Sequence, residues 1–228
     1  MRAPNDYKKK NATQAGFTLV EIAIVLVIIG LLLGGILKGQ EMITQAKIKN
    51  LINDFNGVTV AVTSYQDRYR ALPGDDLNAA ARWTTQAPAN GNGNGIIEGL
   101  YNNASANPPS VESNLFWQHL RIAGFVAGLT TGAGSGTPPP NAAGGIVGVE
   151  SGVLGTNGLG FTSLIVCFSN LPEKVASAVD SAIDDGNPAL GTVRAQLQTA
   201  ANPATIPAPL ISSYVETGAN QYLLCKNY

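Results

Sequence analysis

The chain has 228 residues, which is enough for one domain or two small ones. Charged residues make up only 13% of it and the formal net charge is -1, so its bulk electrostatics do not indicate a nucleic-acid-binding protein. A single histidine and the absence of any nucleophile motif argue against a hydrolase, and we expect no enzymatic activity.

The first sixteen residues form a basic segment. Arg2 and Lys8 to Lys10 stand against one acid, Asp6, which gives a local charge of +3, whereas the rest of the chain holds 10 basic and 14 acidic residues. A basic flank before an apolar segment places the N-terminus in the cytoplasm and the remainder outside. An ordinary secretory signal would end in an Ala-x-Ala site within a shorter apolar run, and no such site follows here.

Residues 17–37 are apolar or small with one exception, Glu21. At about 1.5 Å per residue this stretch makes roughly 30 Å of helix, enough to cross the hydrocarbon core of a bilayer. A carboxylate at the bilayer centre costs about 2.5 to 3.5 kcal/mol, and less near a helix end. Glu21 is therefore expected either to find a partner or to lie at the level of the lipid headgroups, in contact with water.

The stretch from Gly16 to Glu21 reads Gly-Phe-Thr-Leu-Val-Glu and runs into this apolar segment. It resembles the N-terminal signal of type IV pilins and pseudopilins. The resemblance implies that prepilin peptidase cuts between Gly16 and Phe17, and that Phe17 becomes the N-methylated first residue. It also implies that Glu21 binds the cationic amino terminus of a neighbouring subunit in a filament.

The helical pattern continues beyond residue 37. It ends at Leu72-Pro73-Gly74, because proline disfavours a helical residue before it and cannot continue the hydrogen-bond ladder. We predict one helix over residues 17–71, roughly 80 Å long, with a membrane-spanning half and an amphipathic half. Its apolar residues recur at alternating steps of three and four, and residues 72–228 are available to cover them: Ile48, Leu51, Phe55, Val58, Val62, Tyr65 and Tyr69.

An asparagine- and glycine-rich segment follows the long helix. Its spacing resembles the first part of an EF-hand calcium loop, in which alternate side-chain oxygens and one backbone carbonyl point at a single ion. The twelfth position is Tyr101 instead of an acid, although Glu98, with Asp75 or Asp76 folded nearby, could supply charge. Asn-Gly repeats are also ordinary turn sequences, so a plain loop and a calcium site both remain open. The calcium ligands would be Asn90, Asn92, Asn94, Ile96 and Glu98.

Three short helices are predicted beyond residue 72. Asp75 and Asp76 can cap a helix at 77–84, Ser110 can cap one at 111–123 that Gly124 closes, and Leu171-Pro172 opens one at 172–183. His119 is the only histidine of the chain, so we interpret it as a surface or packing residue and not as a ligand or base. The acids Asp180, Asp184 and Asp185 lack a neighbouring histidine or nucleophile and are typical of a solvated turn.

The C-terminal part carries the signals of strands. A segment rich in glycine and proline, 132–145, is predicted to be an exposed loop. The strands predicted after it are Gly145 to Leu154, Phe161 to Phe168, Leu190 to Ala195, and Gln221 to Cys225.

The two cysteines, Cys167 and Cys225, lie in the part of the chain predicted to be exported. Disulfides persist outside the cytoplasm, and a bridge closing about 58 residues would stabilise the fold by about 4 kcal/mol in the chain-entropy model. Two free buried thiols are the alternative. The bridge would also resemble the disulfide-bounded C-terminal region of many pilins.

The predicted helices come first along the chain, and the predicted strands follow with short connections. This order predicts an α+β fold. A basic leader (1–16) precedes a long helix (17–71), whose membrane-spanning part is 17–37 and whose amphipathic half packs against a loop-rich globular head (72–228). The head would contain a small antiparallel sheet and short helices, which agrees with the pilin fold.

The resemblance implies a structural function. The protein would be a prepilin in the bacterial inner membrane, cut after Gly16 and polymerised with its own copies or other pilins into a cell-surface type IV pilus or a periplasmic pseudopilus. Its partners would be membrane lipid, prepilin peptidase and an inner-membrane assembly platform, with no required cofactor and calcium as one option. The alternative is a membrane-anchored binding module. The subunit would be a major pilin, a minor pilin or a secretion pseudopilin, in a filament that serves adhesion, motility, DNA uptake or secretion.

Overall fold

The computed structural model describes residues 16–152, 157–209 and 211–228. The chain divides into two compact units, Met1–Ile43 and Thr44–Tyr228. Among the described residues, one helix is long and apolar enough to cross a membrane by length and composition. This helix, α1, is Leu19–Tyr69, where the sequence predicted a helix over 17–71.

Within the first unit, the apolar residues of α1 are exposed. Leu19 is 90% exposed, Leu31 is 73% and Leu37 is 66%. Leaving one large aliphatic side chain in water instead of burying it costs about 1.5 to 3 kcal/mol. This part of α1 therefore needs an apolar partner, either lipid or other helices.

Within the second unit, α1 supplies one wall of the hydrophobic core. Six of the seven predicted apolar positions are buried, and the seventh, Tyr69, packs against the core while partly exposed. The ring of Phe55 lies 3.8 Å from that of Phe168, centroid to centroid, which joins α1 to the sheet. The amphipathic pattern between Ile48 and Tyr69 is confirmed, because the structure buries the face that the spacing indicates.

Three short α-helices follow: α2 is Ala79–Arg82, α3 is Glu112–Ile122 and α4 is Glu173–Ile183. The predicted N-cap of α3 is wrong, since Val111 occupies that position and has no capping side chain. The carbonyl of Glu98 instead accepts the backbone N–H of Ser113 at 3.0 Å, which supplies the acceptor that a cap would provide. Gly124 ends α3 as predicted, with φ +81° and the hydrogen bonds of a Schellman motif.

Four strands form one antiparallel sheet in the order β1-β2-β4-β3. The α+β fold class is confirmed, although β1 ends at Ser151 and residues 153–154 of the predicted strand lie outside the described residues. Alternate residues point to opposite faces: Val166 and Phe168 join the core with α1, whereas Ile165 and Cys167 join a second apolar cluster. The strands are β1 Val147–Ser151, β2 Leu164–Pro172, β3 Val193–Leu197 and β4 Gln221–Asn227.

Both edge strands are joined to neighbouring loops through their backbone. Val147 of β1 donates its N–H to the carbonyl of Pro139 at 2.8 Å, and Ala195 of β3 donates to that of Pro188 at 2.9 Å. These N–H groups are thus hydrogen-bonded inside the subunit.

The prediction of an exposed loop over 132–145 is wrong, because a buried arginine of α3 binds this segment. The guanidinium of Arg121 donates to the carbonyls of Gly134, Ser135 and Thr137 at 3.3, 2.6 and 2.7 Å. A 3-10 helix, Ala133–Gly136, forms there, and Ser135 is fully buried. The arginine satisfies the carbonyls that water would otherwise solvate.

Candidate functional site

The beginning of α1 is a capping box built from Thr18 and Glu21. The backbone N–H and the hydroxyl of Thr18 each donate to Oε2 of Glu21 at 2.8 Å, and the N–H of Glu21 donates to Oγ1 of Thr18 at 3.3 Å. Thr18 directly precedes the helix and Glu21 is its third residue, which is the spacing such a box requires. In the subunit, Glu21 is thus held by its own helix terminus.

Gly16 and Phe17 precede the capping box and lie outside α1. Phe17 is 84% exposed, and a Cβ added to Gly16 would meet no atom within 4 Å. The described residues therefore leave the peptide bond between Gly16 and Phe17, where the sequence predicts cleavage, exposed to solvent. Sequence reasoning overlooked Thr18, although the Thr-x-x-Glu spacing signals a capping box.

The disulfide between Cys167 and Cys225 is confirmed. The cysteines face each other on β2 and β4, and their Cα atoms lie 4.0 Å apart. Both are fully buried in the second apolar cluster. The bridge joins the middle of the sheet to a point near the C-terminus.

The asparagine-rich loop binds a carboxylate through its backbone. The carboxylate of Asp75 accepts the N–H groups of Gly93, Asn94 and Gly95 at 2.5, 3.2 and 2.7 Å. Gly91 crosses the Asp75 backbone so closely that an added Cβ would lie 2.3 Å from its Cα. Asp75 thus lies beside the loop, as the sequence suggested, whereas Asp76 binds the Tyr65 hydroxyl and Arg82.

The side chains of the loop mainly bind one another and the backbone. The side-chain amides of Asn92 and Asn94 donate to Oε1 of Glu98 at 3.1 and 3.3 Å, while their oxygens accept backbone N–H groups two residues further on. Asn90 accepts from the N–H of Ala80. Calcium binding at Asn90, Asn92, Asn94, Ile96 and Glu98 stays a prediction.

A further carboxylate, that of Glu112, lies against the same loop. Glu112 accepts the N–H of Asn92 at 3.0 Å and that of Glu98 at 2.9 Å. Its pKa is raised by burial, and the charges of Asp75 and Glu98 raise it further. Among the described residues, none of these three acids has a basic partner within 4.0 Å, so the loop is a region of negative charge.

The single histidine is a packing residue at the core. His119 is fully buried; its Nδ1 accepts the N–H of Gly74 at 3.0 Å, and its Nε2 lies 3.0 Å from the carbonyl of Ala89. A neutral ring with its proton on Nε2 satisfies both contacts. Burial therefore lowers the pKa of His119 to about 4.

This lowered pKa predicts a pH-dependent stability. Between about pH 6.5 and 4 the unfolded chain binds a proton at His119 that the folded chain does not. The contribution of His119 to the free energy of unfolding is therefore fully present above pH 6.5, and it falls by about 3 kcal/mol as the pH drops to 4. We expect His119→Gln to remove this part of the slope. Thermal unfolding of the full chain in detergent, from pH 4 to 8, measures it, and equal slopes for the two proteins would contradict the assignment.

The three acids at the end of α4 bind neighbouring segments of the chain. Asp180 lies within the helix and is fully buried, so the expectation of a solvated turn is wrong for this residue. Asp180 accepts from the Tyr214 hydroxyl at 2.6 Å, and Asp184 accepts the N–H groups of Thr192 and Val193 at 2.6 and 2.8 Å. Asp185 accepts the N–H of Asn187 at 2.8 Å. Within the described ranges, this is the one acidic trio whose oxygens all lie within 4.8 Å of one another, and each member already has hydrogen bonds.

Comparison with known proteins identifies the segment around the capping box. The family model for the prokaryotic N-terminal methylation motif matches residues 11–37, which include Gly16, Phe17 and Glu21. No curated protein matches the chain. The chain thus carries, at the exposed start of α1, the signature of type IV pilins and pseudopilins, which points to a structural subunit rather than an enzyme.

Proposed function

We propose that this protein, which has the pilin signature at its N-terminus, is a prepilin. It is cut between Gly16 and Phe17, N-methylated on Phe17 and assembled into a type IV pilus or a related pseudopilus. Its partners in this process are prepilin peptidase, an inner-membrane assembly platform and other copies of the chain or other pilins. The precursor resides in the inner membrane with a cytoplasmic N-terminus, and the assembled filament lies at the cell surface or in the periplasm.

One observation carries the proposal: the methylation motif coincides with an apolar helix that the subunit leaves exposed. Of the large apolar side chains between Leu19 and Leu37, each is at least 47% exposed, and a solitary protein in water could not maintain such a surface. Lipid covers it in the precursor. In the filament, the same segments of other copies cover it.

In the proposed mechanism, the carboxylate of Glu21 exchanges one binding partner for another. In the single subunit it accepts hydrogen bonds from the N–H and the hydroxyl of Thr18, and these bonds replace those that water would make. After cleavage, Phe17 carries a positive amino terminus. A neighbouring copy brings this cation to Glu21 in an apolar environment, where an unpaired charge is costly and the pair selects one axial register.

The mass of the mature N-terminus tests the proposal. We expect protein purified from sheared filaments to begin at N-methylated phenylalanine 17, and Gly16→Leu to retain the full leader in the membrane fraction because the peptidase requires the small residue. A matched control is Gly39→Leu, which replaces a glycine that is also in open space but lies outside the motif.

Another N-terminus would contradict the proposal. A chain that keeps its leader, or loses it at another bond, would instead be a membrane-anchored binding module. The acidic loop formed by Asp75, Glu98 and Glu112 favours this second candidate, because such a loop could bind a calcium ion or a positively charged surface.

A further inference from the structure

A pocket of about 280 Å³ lies in the second unit, beside α1. The helix surface at Asp54, Gly57 and Val58 lines one part of it, and Trp117 and Phe125 are among the other lining residues. Gly57 leaves the helix side open, since a Cβ added there would meet no atom within 4 Å. The pocket is thus mostly apolar, with a carboxylate on the helix.

Two polar groups of this pocket have no hydrogen-bond partner within the described part of the subunit: the carboxylate of Asp54, which is exposed to solvent, and the indole N–H of Trp117. Among the described residues, the carboxylate of Asp54 has neither a hydrogen bond nor a basic group within 4.0 Å, and partial burial raises its pKa. The indole N–H of Trp117 is buried and lacks an acceptor. A carboxylate beside apolar walls is complementary to a cation on an aliphatic stem.

The complementary cation lies on the other side of the same helix. Lys49 precedes Asp54 by five residues, which at 3.6 residues per turn places it about 140° away around α1. It is exposed, and no carboxylate of the described chain lies within 4.0 Å of it. A group and its complement on different sides of one subunit make a head-to-tail contact, and contacts of this kind build helical filaments.

We propose that the pocket receives the Lys49 side chain of a second copy of this chain, an inference that rests on the proposed filament function. The methylene groups of the lysine pack against Val58 and Phe125, and its ammonium pairs with Asp54. The contact would fix the position of neighbouring heads independently of the pairing at Glu21.

A charge exchange tests the contact. In cells that carry the assembly machinery, Asp54→Lys and Lys49→Asp should each lower the yield of sheared filaments at least tenfold, and the double variant should recover most of it. Arg68→Asp is the matched control, since Arg68 is another exposed cation of α1 without a carboxylate within 4.0 Å. Thermal unfolding of each purified variant in detergent should match the wild type, which separates assembly from folding.

Cross-linking gives a second readout. A variant carrying both Asp54→Cys and Lys49→Cys should yield a ladder of covalent multimers in filaments. Neither single variant should form a cross-link at this contact, because its cysteine faces an unchanged residue of the neighbouring copy. Wild-type filaments together with normal assembly of Asp54→Lys and no ladder would overturn this inference and leave the proposed function intact. A wild-type chain that never forms filaments would overturn the proposed function, and this inference with it.

Discussion

Filaments are expected to disappear from the sheared surface fraction of cells that express only Glu21→Ala, while the protein remains in the membrane. In the proposed filament, the alanine would leave the amino terminus of a neighbouring Phe17 without a counter-charge in an apolar core. Removing one partner of a buried ion pair costs about 3 to 5 kcal/mol, which corresponds to about a hundredfold or greater loss of assembly. Electron microscopy and immunoblots of sheared and membrane fractions measure the effect.

Two controls separate the charge of Glu21 from its role at the helix terminus. Glutamine also serves in a capping box, so Glu21→Gln keeps the start of α1 and removes only the charge. Thr18→Ala does the reverse and costs about 1 kcal/mol of helix stability. We expect Glu21→Gln to behave like the alanine variant and Thr18→Ala to assemble in reduced amount. Wild-type assembly of Glu21→Gln would show that the carboxylate charge is dispensable.

The second large effect is expected from the disulfide. Replacing Cys167 and Cys225 together by alanine should lower the free energy of unfolding by about 4 kcal/mol, because the unfolded chain regains the freedom of a loop spanning 58 residues. Alanine is preferred to serine, since both positions are fully buried in an apolar cluster and a hydroxyl there would lack a partner. Denaturant unfolding of the full chain in detergent gives the difference.

Reduction provides the internal control for this experiment. A reductant should lower the unfolding midpoint of the wild type towards that of the double variant and leave the variant unchanged. Equal midpoints for oxidised wild type and variant would mean that the bridge constrains nothing that the sheet does not already constrain.

Features that repeat along the chain were predictable from the sequence. The steps of three and four from Ile48 to Tyr65 identified the buried face of α1, because a helix has a fixed period. The strand around Cys167 was predictable for a similar reason, since a continuous apolar run bounded by turn residues favours a buried strand. Because the sequence predicts that the part of the chain holding both cysteines is exported, their pairing was a reasonable expectation.

Contacts between distant segments were not predictable in the same way. Glycine and proline content indicated an exposed loop at 132–145, yet Arg121 from another element donates to its carbonyls. The cap of α3 is a backbone carbonyl, that of Glu98, and carbonyls leave no compositional signal. The pocket at Asp54 likewise depends on Trp117, 63 residues away, which only the tertiary fold brings to the helix.

The hydrogen bonds that Val147 and Ala195 donate to their own loops influence how crowded heads behave. A free strand edge recruits further strands, and a filament presents many identical heads at very high local density. Here one amide of each edge strand already donates to a loop of its own subunit, which leaves fewer groups free to recruit a foreign strand. Lateral bundling of whole fibres would then depend on surface charge, and ionic strength would control it.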